Sequence, residues 1–328
     1  MKTFSEYKIS SSNRSVYESA ATQYTLFPKD KGELKQMIQE EIDKQGSEAD
    51  LNHIDVSRIT DFSKLFKKSM FNGDISEWDV SNATNMSSMF EGSEFDGDIS
   101  GWDVSNVEDM RWMFQGAKSF NQDLSGWDVS KVENMKSMFC NTSSFNGDVS
   151  TWDVRNVKDM SHMFDHSSFN GNIKRWNIKN VENMIGMFSN NHEFNQDISR
   201  WNVSNVKNMG YMFNDAASFD QDLSGWDVCN VEDMCVMFRG CKKFNQDISR
   251  WNVSKVTDMC WMFADAESFN QDISKWNVSK VKNMAKMFRS CKSFDQDISN
   301  WDVSAVKRND NMFEDCPCPK EHQPRFKQ

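Results

Sequence analysis

Apolar residues recur along this chain with a period of about 25 residues. The clearest marker is tryptophan, which recurs every 24 or 25 residues at Trp78, Trp102, Trp127, Trp152, Trp176, Trp201, Trp226, Trp251, Trp276 and Trp301. With this Trp counted as repeat position 1, apolar residues also occupy positions 3, 6, 9, 12, 13, 19 and 23, and position 16 is small. So regular a repeat predicts a solenoid whose coils stack on one another, with the tryptophans aligned in one column.

The two ends of the repeat region depart from the pattern. An atypical eleventh repeat precedes Trp78, and its apolar positions are Leu51, Ile54, Val56, Ile59, Phe62, Leu65, Phe66 and Phe71. In the last repeat Asn309 replaces a Met, and the Cys316–Pro319 segment then ends the pattern. Terminal coils lack one neighbour and therefore differ from the others. The sequence predicts about eleven coils over residues 51–316, followed by a C-terminal tail, 317–328.

One repeat contains the pattern of a strand and of a short helix. In the stretch from Ile198 to Val203, Trp201 and Val203 stand at alternate positions, as in a strand with one buried face. The next apolar residues, spaced 3, 3 and 1 apart, predict one to two turns of helix: Val206, Met209, Met212 and Phe213. The predicted class is therefore α/β, with a parallel strand ladder on one side of the solenoid and short helical segments on the other.

The N-terminal region divides into two predicted parts. Residues 1–28 are polar and rich in Ser, and we expect a loose segment. Residues 29–50 predict a capping helix, because Asp30 and Glu33 form a capping-box pair and Gly46 ends the pattern. Its apolar face consists of Leu34, Met37, Ile38 and Ile42. We expect this face to cover the open end of the first coil; the alternative is a docking helix for a partner.

Charge and composition narrow the classes of function. The net charge of −11 disfavours nucleic acid as a partner. No apolar run approaches the ~20 residues of a membrane span, so membrane insertion is not expected. The residues after Met1 lack the apolar core of a secretory signal, which favours the cytoplasm. The five His share no repeat position, and no catalytic motif occurs. The sequence therefore predicts no enzyme and no cofactor.

The repeat as a whole resembles a known family. The pattern x-F-N-x-D-I-S-x-W-[DN]-V-S-N-V-x-[ND]-M-x-x-M-F, from Phe71 to Ser299, is similar to BspA-type leucine-rich-repeat surface proteins of bacteria. The resemblance implies a right-handed leucine-rich-repeat-like solenoid that is secreted or on the cell surface and binds proteins or other cells. It implies a non-enzymatic protein- or glycan-binding adhesion module. The alternative function is a structural or self-assembling scaffold without a dedicated ligand.

Position 11, immediately before the Met-Phe pair, varies from repeat to repeat. It is occupied in turn by Ser88, Trp112, Ser137, His162, Gly186, Tyr211, Val236, Trp261 and Lys286. Trp112, His162, Tyr211 and Trp261 are candidate binding residues, because rings that face solvent would form a row suited to a peptide or glycan. The alternative is that each ring is half-buried and covers the small residue on the next coil.

Position 25 holds a run of basic residues beside the predicted strand. The candidates are Arg175, Arg200, Arg250 and Lys275. They would form a surface for an acidic partner, or a solvated edge that counters a neighbouring row of Asp residues. That row, at position 22, consists of Asp74, Asp98, Asp123, Asp148, Asn172, Asp197, Asp222, Asp247, Asp272 and Asp297. It would bind calcium or form Asx turns, and Asn172 favours the turns.

Two pairs of cysteines share a repeat position in adjacent coils. Cys235 and Cys260 are at position 10, and Cys291 and Cys316 are at position 16. Each pair could come close enough for a disulfide or a shared metal. Ala at position 16 in other repeats favours small, buried, reduced thiols instead. We therefore predict no metal site.

Overall fold

The predicted tryptophans form a single column inside a repeat solenoid. The computed structural model describes residues 24–326, so most of the predicted loose segment 1–28 lies outside the described residues. All ten repeat tryptophans are 3–5% exposed. Neighbouring indoles that stack have centroids 6.2–6.5 Å apart and planes within 5° of parallel. The predicted tryptophan ladder is confirmed, with the offset stacking that aromatic rings prefer.

Each tryptophan is also fixed by a hydrogen bond to the preceding coil. The indole Nε1 donates to the backbone carbonyl three residues before the preceding Trp, as from Trp201 to Ile173 at 3.2 Å and from Trp226 to Ile198 at 3.1 Å. All ten repeat tryptophans make this bond. The buried N–H group is therefore satisfied only when two coils are in register.

Phenylalanine and methionine fill the rest of the core. Phe213 stacks on Phe219 of its own coil with centroids 3.9 Å apart, and on Phe238 of the next coil at 5.7 Å. Met209 and Met212 are fully buried, as are their counterparts in the neighbouring coils. The small residue at position 16 is buried too, as at Ala216. Every apolar column of the repeat thus continues through the stack.

The predicted helical segments do not form. In residues 24–326 the helices are α1, Lys31–Gln45, and one 3-10 turn, Lys320–His322, both outside the repeats. Positions 9–16 are instead a series of turns: the N–H groups of Met212, Asn214 and Ala216 each donate three residues back, to Met209, Tyr211 and Phe213. The φ angle is positive at Tyr211 and Asp215, as in the third residue of a type II turn, which interrupts a helix.

The alternate N–H groups of this turn segment bond to the next coil. Those of Met209, Tyr211 and Phe213 donate to the carbonyls of Asp233, Cys235 and Met237 at 2.8–3.0 Å. These bonds between coils compete with the i to i−4 bonds of a helix and replace them. A helix and this turn series place apolar side chains at similar intervals, which is why the spacing alone led to the wrong element.

Parallel pairing occurs, but at another place in the repeat. The described residues contain only single-residue parallel bridges, and ten of the twelve run through position 8, from Asp61 and Asn85 to Asn283 and Arg308. The other two join Asp50 to Asp74 and Leu26 to Ile54, so the described end of the predicted loose segment 1–28 pairs with the first coil and is not loose. The predicted strand around Trp201 is instead a pair of turns, in which Trp201 N–H donates to Ile198 and Val206 N–H to Val203. The predicted strand position was therefore wrong, although the parallel direction was right.

Asx turns form the corners of each coil. In the coil of Trp201, the side chains of Asn202, Asn208 and Asp222 accept the backbone N–H two residues ahead at 2.8–3.1 Å. Every residue at position 22, including Asn172, accepts the same hydrogen bond from the backbone N–H two residues ahead. The Asx-turn interpretation of that row is confirmed. Hydrogen bonds from Ser100 accordingly hold the pKa of Asp98 below its usual value.

Both ends of the stack are covered. Asp30 caps the N-terminus of helix α1, where its Oδ1 accepts the Glu33 N–H at 3.0 Å. Gly46, with φ 88°, follows the last residue of the helix and caps its C-terminus. Its apolar face packs as predicted: Leu34 and Ile38 are buried in the core, and Met37 and Ile42 lie partly buried against it. At the other end Cys318 and Phe326 of the tail pack on the core. No helix in the described residues has the length and apolar character of a membrane span.

We predict that Trp201→Ala lowers the free energy of unfolding by about 3–5 kcal/mol, because it leaves a cavity between two coils. Trp201→Phe keeps most of the packing but removes the indole hydrogen bond to the Ile173 carbonyl, which still accepts the Trp176 N–H, so the expected cost is about 0.5–1.5 kcal/mol. Denaturant titration followed by circular dichroism measures both changes.

The matched control is Met70→Ala, which removes a side chain that is 70% exposed. It should change the free energy of unfolding by less than about 0.5 kcal/mol. Equal losses for Trp201→Ala and Met70→Ala would contradict the view that the tryptophan column holds the coils together.

Candidate functional site

The position 11 side chains lie on a turn with unusual backbone geometry. Trp112, Tyr211 and Trp261 have φ angles of 57–60°, in the left-handed region that side chains rarely adopt. Their exposure differs: Tyr211 is 43% exposed, whereas the two Trp are half-buried. The predicted row of rings is therefore not uniformly open to solvent.

Two of the predicted rings frame one depression. Tyr211 and Trp261 lie two coils apart, and Val236, 6% exposed, is at the same repeat position between them. Together with Arg239, Cys235 and Cys260 they line an open depression of about 300 Å³. Since coils stack at roughly 4.8 Å, the backbones that carry the two rings lie about 10 Å apart, and Val236 lies between them.

Three cations surround Trp261. Lys286 Nζ lies 4.4 Å from the indole centroid, and the guanidinium carbons of Arg239 and Arg289 lie 5.6 and 5.7 Å away. Cation–π attraction stabilises such contacts, each by roughly 0.5–1 kcal/mol at exposed sites. Arg239 and Arg289 share position 14 in coils on either side of Trp261. Sequence reasoning missed them, although their spacing of two coils was the available signal.

Carboxylates hold the two arginines in place. Arg239 Nη1 donates to Asp215 at 3.1 Å and to the Asn214 side chain at 3.3 Å, and Arg289 Nε donates to Glu314 at 2.7 Å. Both guanidinium groups therefore keep a fixed direction, which lowers the entropy cost of binding a partner.

The other two predicted ring residues, His162 and Trp112, do not line the Tyr211–Trp261 depression. A Cβ added at Gly186 would lie 2.5 Å from His162 Nδ1, so the imidazole covers the small residue of the next coil. His162 also bonds to Asp165 at 3.1 Å. Burial of the Asp165 carboxylate acts to raise its pKa, but hydrogen bonds from His162 and Asn190 outweigh burial and hold the pKa of Asp165 below its usual value. Trp112 has a single cation nearby among the described residues, Arg111 at 5.4 Å.

The basic residues of position 25 lie on a different surface. Arg175, Arg200, Arg250 and Lys275 are all exposed. Arg175 and Arg200 line an open depression of about 660 Å³ that shares no residue with the Tyr211–Trp261 depression. Hydrogen bonds from Ser249 lower the pKa of Asp247, and the charge of Arg250 lowers it further. The basic residues thus lie near the Asp row, as the solvated-edge interpretation predicts.

The two cysteine pairs differ in geometry. Cys235 Sγ and Cys260 Sγ lie 2.7 Å apart and are half-buried. The Cys291 and Cys316 thiols instead donate to the carbonyls of Ala266 at 3.2 Å and Phe294 at 3.5 Å. The Asp258 carboxylate lies with Cys235 and Cys260, the three ligand atoms within 4.8 Å of one another, the only such group in residues 24–326. Contact with Cys235, together with burial, raises the pKa of the Cys260 thiol.

The repeats match one protein family over nearly their whole length. The family is described as "Mycoplasma protein of unknown function, DUF285", and it matches residues 33–151, 140–234 and 221–324. The chain belongs to the DUF285 family. This repeat family is compatible with the BspA-type resemblance, although the match does not establish it. None of the curated proteins matches the sequence.

Two solved structures resemble this DUF285 protein weakly. A leucine-rich repeat protein from Bacteroides ovatus is 10% identical with a TM-score of 0.25, and the match covers 75% of this chain and 80% of that one. A TLR13–ssRNA13 complex is 9% identical with a TM-score of 0.20, and the match covers 83% of this chain and 49% of that one.

We predict that Asp233→Asn raises the denaturation midpoint at neutral pH. Burial and the nearby Asp258 charge raise the pKa of Asp233, so ionisation of this carboxyl destabilises the folded chain. Stability should therefore fall as pH rises from about 4, the pKa of an unfolded Asp, through the raised pKa. Asn is tolerated at position 8, where other coils carry Asn85, Asn134, Asn183, Asn208 and Asn283.

The gain from Asp233→Asn should disappear when the same denaturant titration is repeated below about pH 4, where wild type is protonated too. Asp197→Asn is the opposite control, because Lys174 and Ser199 lower the pKa of Asp197. That variant should lose stability at neutral pH, and the loss should persist below about pH 4 until the pH falls through the lowered pKa of Asp197. A loss of stability for Asp233→Asn at pH 7 would contradict the prediction.

Proposed function

We propose that this DUF285 protein is a non-enzymatic recognition module that binds a protein or glycan partner through the Tyr211–Trp261 depression. The observation that carries the proposal is the placement of two aromatic rings around a buried Val236, beside Arg239 and Arg289 held by carboxylates. Tyr, Trp and Arg are the residues that contribute most binding energy at protein interfaces.

The composition of the depression favours a protein segment over a glycan. Three cations gather around Trp261, although the chain carries a net charge of −11. Each arginine remains partly neutralised by its carboxylate, so the surface suits a partner with both apolar and acidic side chains. The partner groups would then contact two rings whose backbones lie about 10 Å apart.

The repeat architecture suits recognition because the core and the surface vary independently. Tryptophan, Met and Phe columns hold the stack, whereas position 11 changes from coil to coil without entering those columns. Stacked repeats commonly present such an extended binding surface. A right-handed leucine-rich-repeat-like coil and a place on the cell surface remain predictions from the BspA-type resemblance.

Binding to a protein and glycan array tests the proposal. We expect at least one ligand whose affinity falls about 30-fold or more in the Tyr211→Ala/Trp261→Ala variant, the loss of one binding hot spot of about 2 kcal/mol. Met70→Ala, which removes an exposed apolar side chain elsewhere, should leave that affinity unchanged. If the ligands bind the double variant as tightly as they bind wild type, the binding site lies outside this depression.

The scaffold alternative makes a different prediction about association. Helix α1 and the tail cover the two ends of the stack, so copies would have to associate side by side. For the recognition module we expect light scattering to show a monomer at high protein concentration. Concentration-dependent oligomers that persist in Tyr211→Ala/Trp261→Ala would support the self-assembling scaffold instead.

A further inference from the structure

Cys235 and Cys260 are held opposite each other by the backbone of three coils. Tyr211 N–H donates to the Cys235 carbonyl, and Val236 N–H donates to the Cys260 carbonyl, each at 2.8 Å. Both cysteines therefore occupy the same position on adjacent coils, which stack at roughly 4.8 Å. That separation falls within the range of about 4.4–6.8 Å between the Cα atoms of disulfide-bonded cysteines.

The two thiols are also in contact and accessible. Their Sγ atoms lie 2.7 Å apart, and neither thiol is fully buried. Both line the floor of the open Tyr211–Trp261 depression, so a small oxidant can reach them from solvent. Proximity, register and access allow thiol–disulfide exchange, which also requires a thiolate; because the pKa of Cys260 is raised, the first attack falls to Cys235.

A second cysteine pair in the same chain lacks these features. Cys291 and Cys316 also share a position on adjacent coils, but Cys291 is 0% exposed. Their thiols donate to backbone carbonyls of the preceding coils rather than approaching each other. Register alone therefore does not bring two thiols into contact in this fold.

We propose that Cys235 and Cys260 are a site of reversible oxidation, at which a low-molecular-weight disulfide such as glutathione disulfide joins two adjacent coils covalently. One thiol loses its proton and attacks a sulfur of glutathione disulfide, forming a mixed disulfide and releasing one glutathione thiolate. The second thiol then attacks the protein sulfur and releases the second glutathione. Two protein thiols are oxidised, one glutathione disulfide is reduced, and both protons end on the two glutathione thiols.

Metal binding would use the same thiols together with Asp258, but the geometry favours oxidation. Zinc holds thiolates at about 2.3 Å in a tetrahedron, which places two sulfurs roughly 3.8 Å apart. The two sulfurs lie closer than that, and among the described residues Asp258 is the one further ligand group beside them, which leaves the site one protein ligand short of a structural zinc site. A bound zinc ion is therefore an outcome that would count against the proposal.

In the test, the whole folded chain is incubated with glutathione disulfide. Its remaining free thiols are then labelled with a thiol-blocking reagent, and the labelled thiols are counted after denaturation. The reduced chain has eight cysteines. We expect two to be lost, and peptide mass mapping should find Cys235 linked to Cys260 with two hydrogens missing. Dithiothreitol should restore all eight. Cys260→Ser should instead accumulate a mixed disulfide with glutathione at Cys235, because the thiol that resolves it is absent.

Cys291→Ser is the matched control, and it should form the Cys235–Cys260 link as wild type does. The proposal is overturned if wild type keeps all eight thiols, or if the first link joins other cysteines. It is also overturned if the purified chain carries one zinc ion that Cys260→Ser loses. Each readout concerns the thiols alone, so failure to find a binding partner at the Tyr211–Trp261 depression leaves this test intact.

Discussion

Every second backbone N–H between positions 9 and 15 has its acceptor in the next coil. In the coil of Trp201 these donors are Met209, Tyr211, Phe213 and Asp215. The tryptophan indole makes the complementary link to the preceding coil. A coil taken alone would leave these donors to water and would expose its apolar residues, because both the acceptors and the apolar cover belong to its neighbours. The coils therefore stabilise one another, and the covered ends at α1 and the tail are a necessary part of the fold.

The same bonding pattern explains how the surface of the protein can vary. Directing alternate N–H groups to the next coil requires turns with positive φ at positions 11 and 15. Side chains at those positions lie at the edge of the apolar columns rather than within them. Position 11 consequently accepts Ser, Trp, His, Tyr or Lys while the core stays constant. The candidate site is thus built on positions that the stack leaves free.

The sequence predicted the stack better than the backbone path. Columns such as that of Trp201, and the helix that starts at Asp30, follow from periodicity and local capping, and both are confirmed. The turn series at positions 9–16 was missed because every second hydrogen bond in it joins residues about 25 apart, which local spacing does not reveal. Arg239 and Arg289 were missed for the same reason: their contact with Trp261 exists only after neighbouring coils are superposed.

Val236 connects the strain of the backbone to the candidate site. A left-handed conformation costs roughly 1–2 kcal/mol for an ordinary residue, and a β-branched residue is a genuine outlier there. Val236 adopts it with φ 62°, whereas the equivalent position two coils earlier is Gly186, which bears no such cost. The side chain of Val236 forms the floor between Tyr211 and Trp261, beside the contact of Cys235 with Cys260. The hydrogen bonds between coils impose this conformation at position 11 throughout the stack, so they outweigh its cost even for a β-branched side chain.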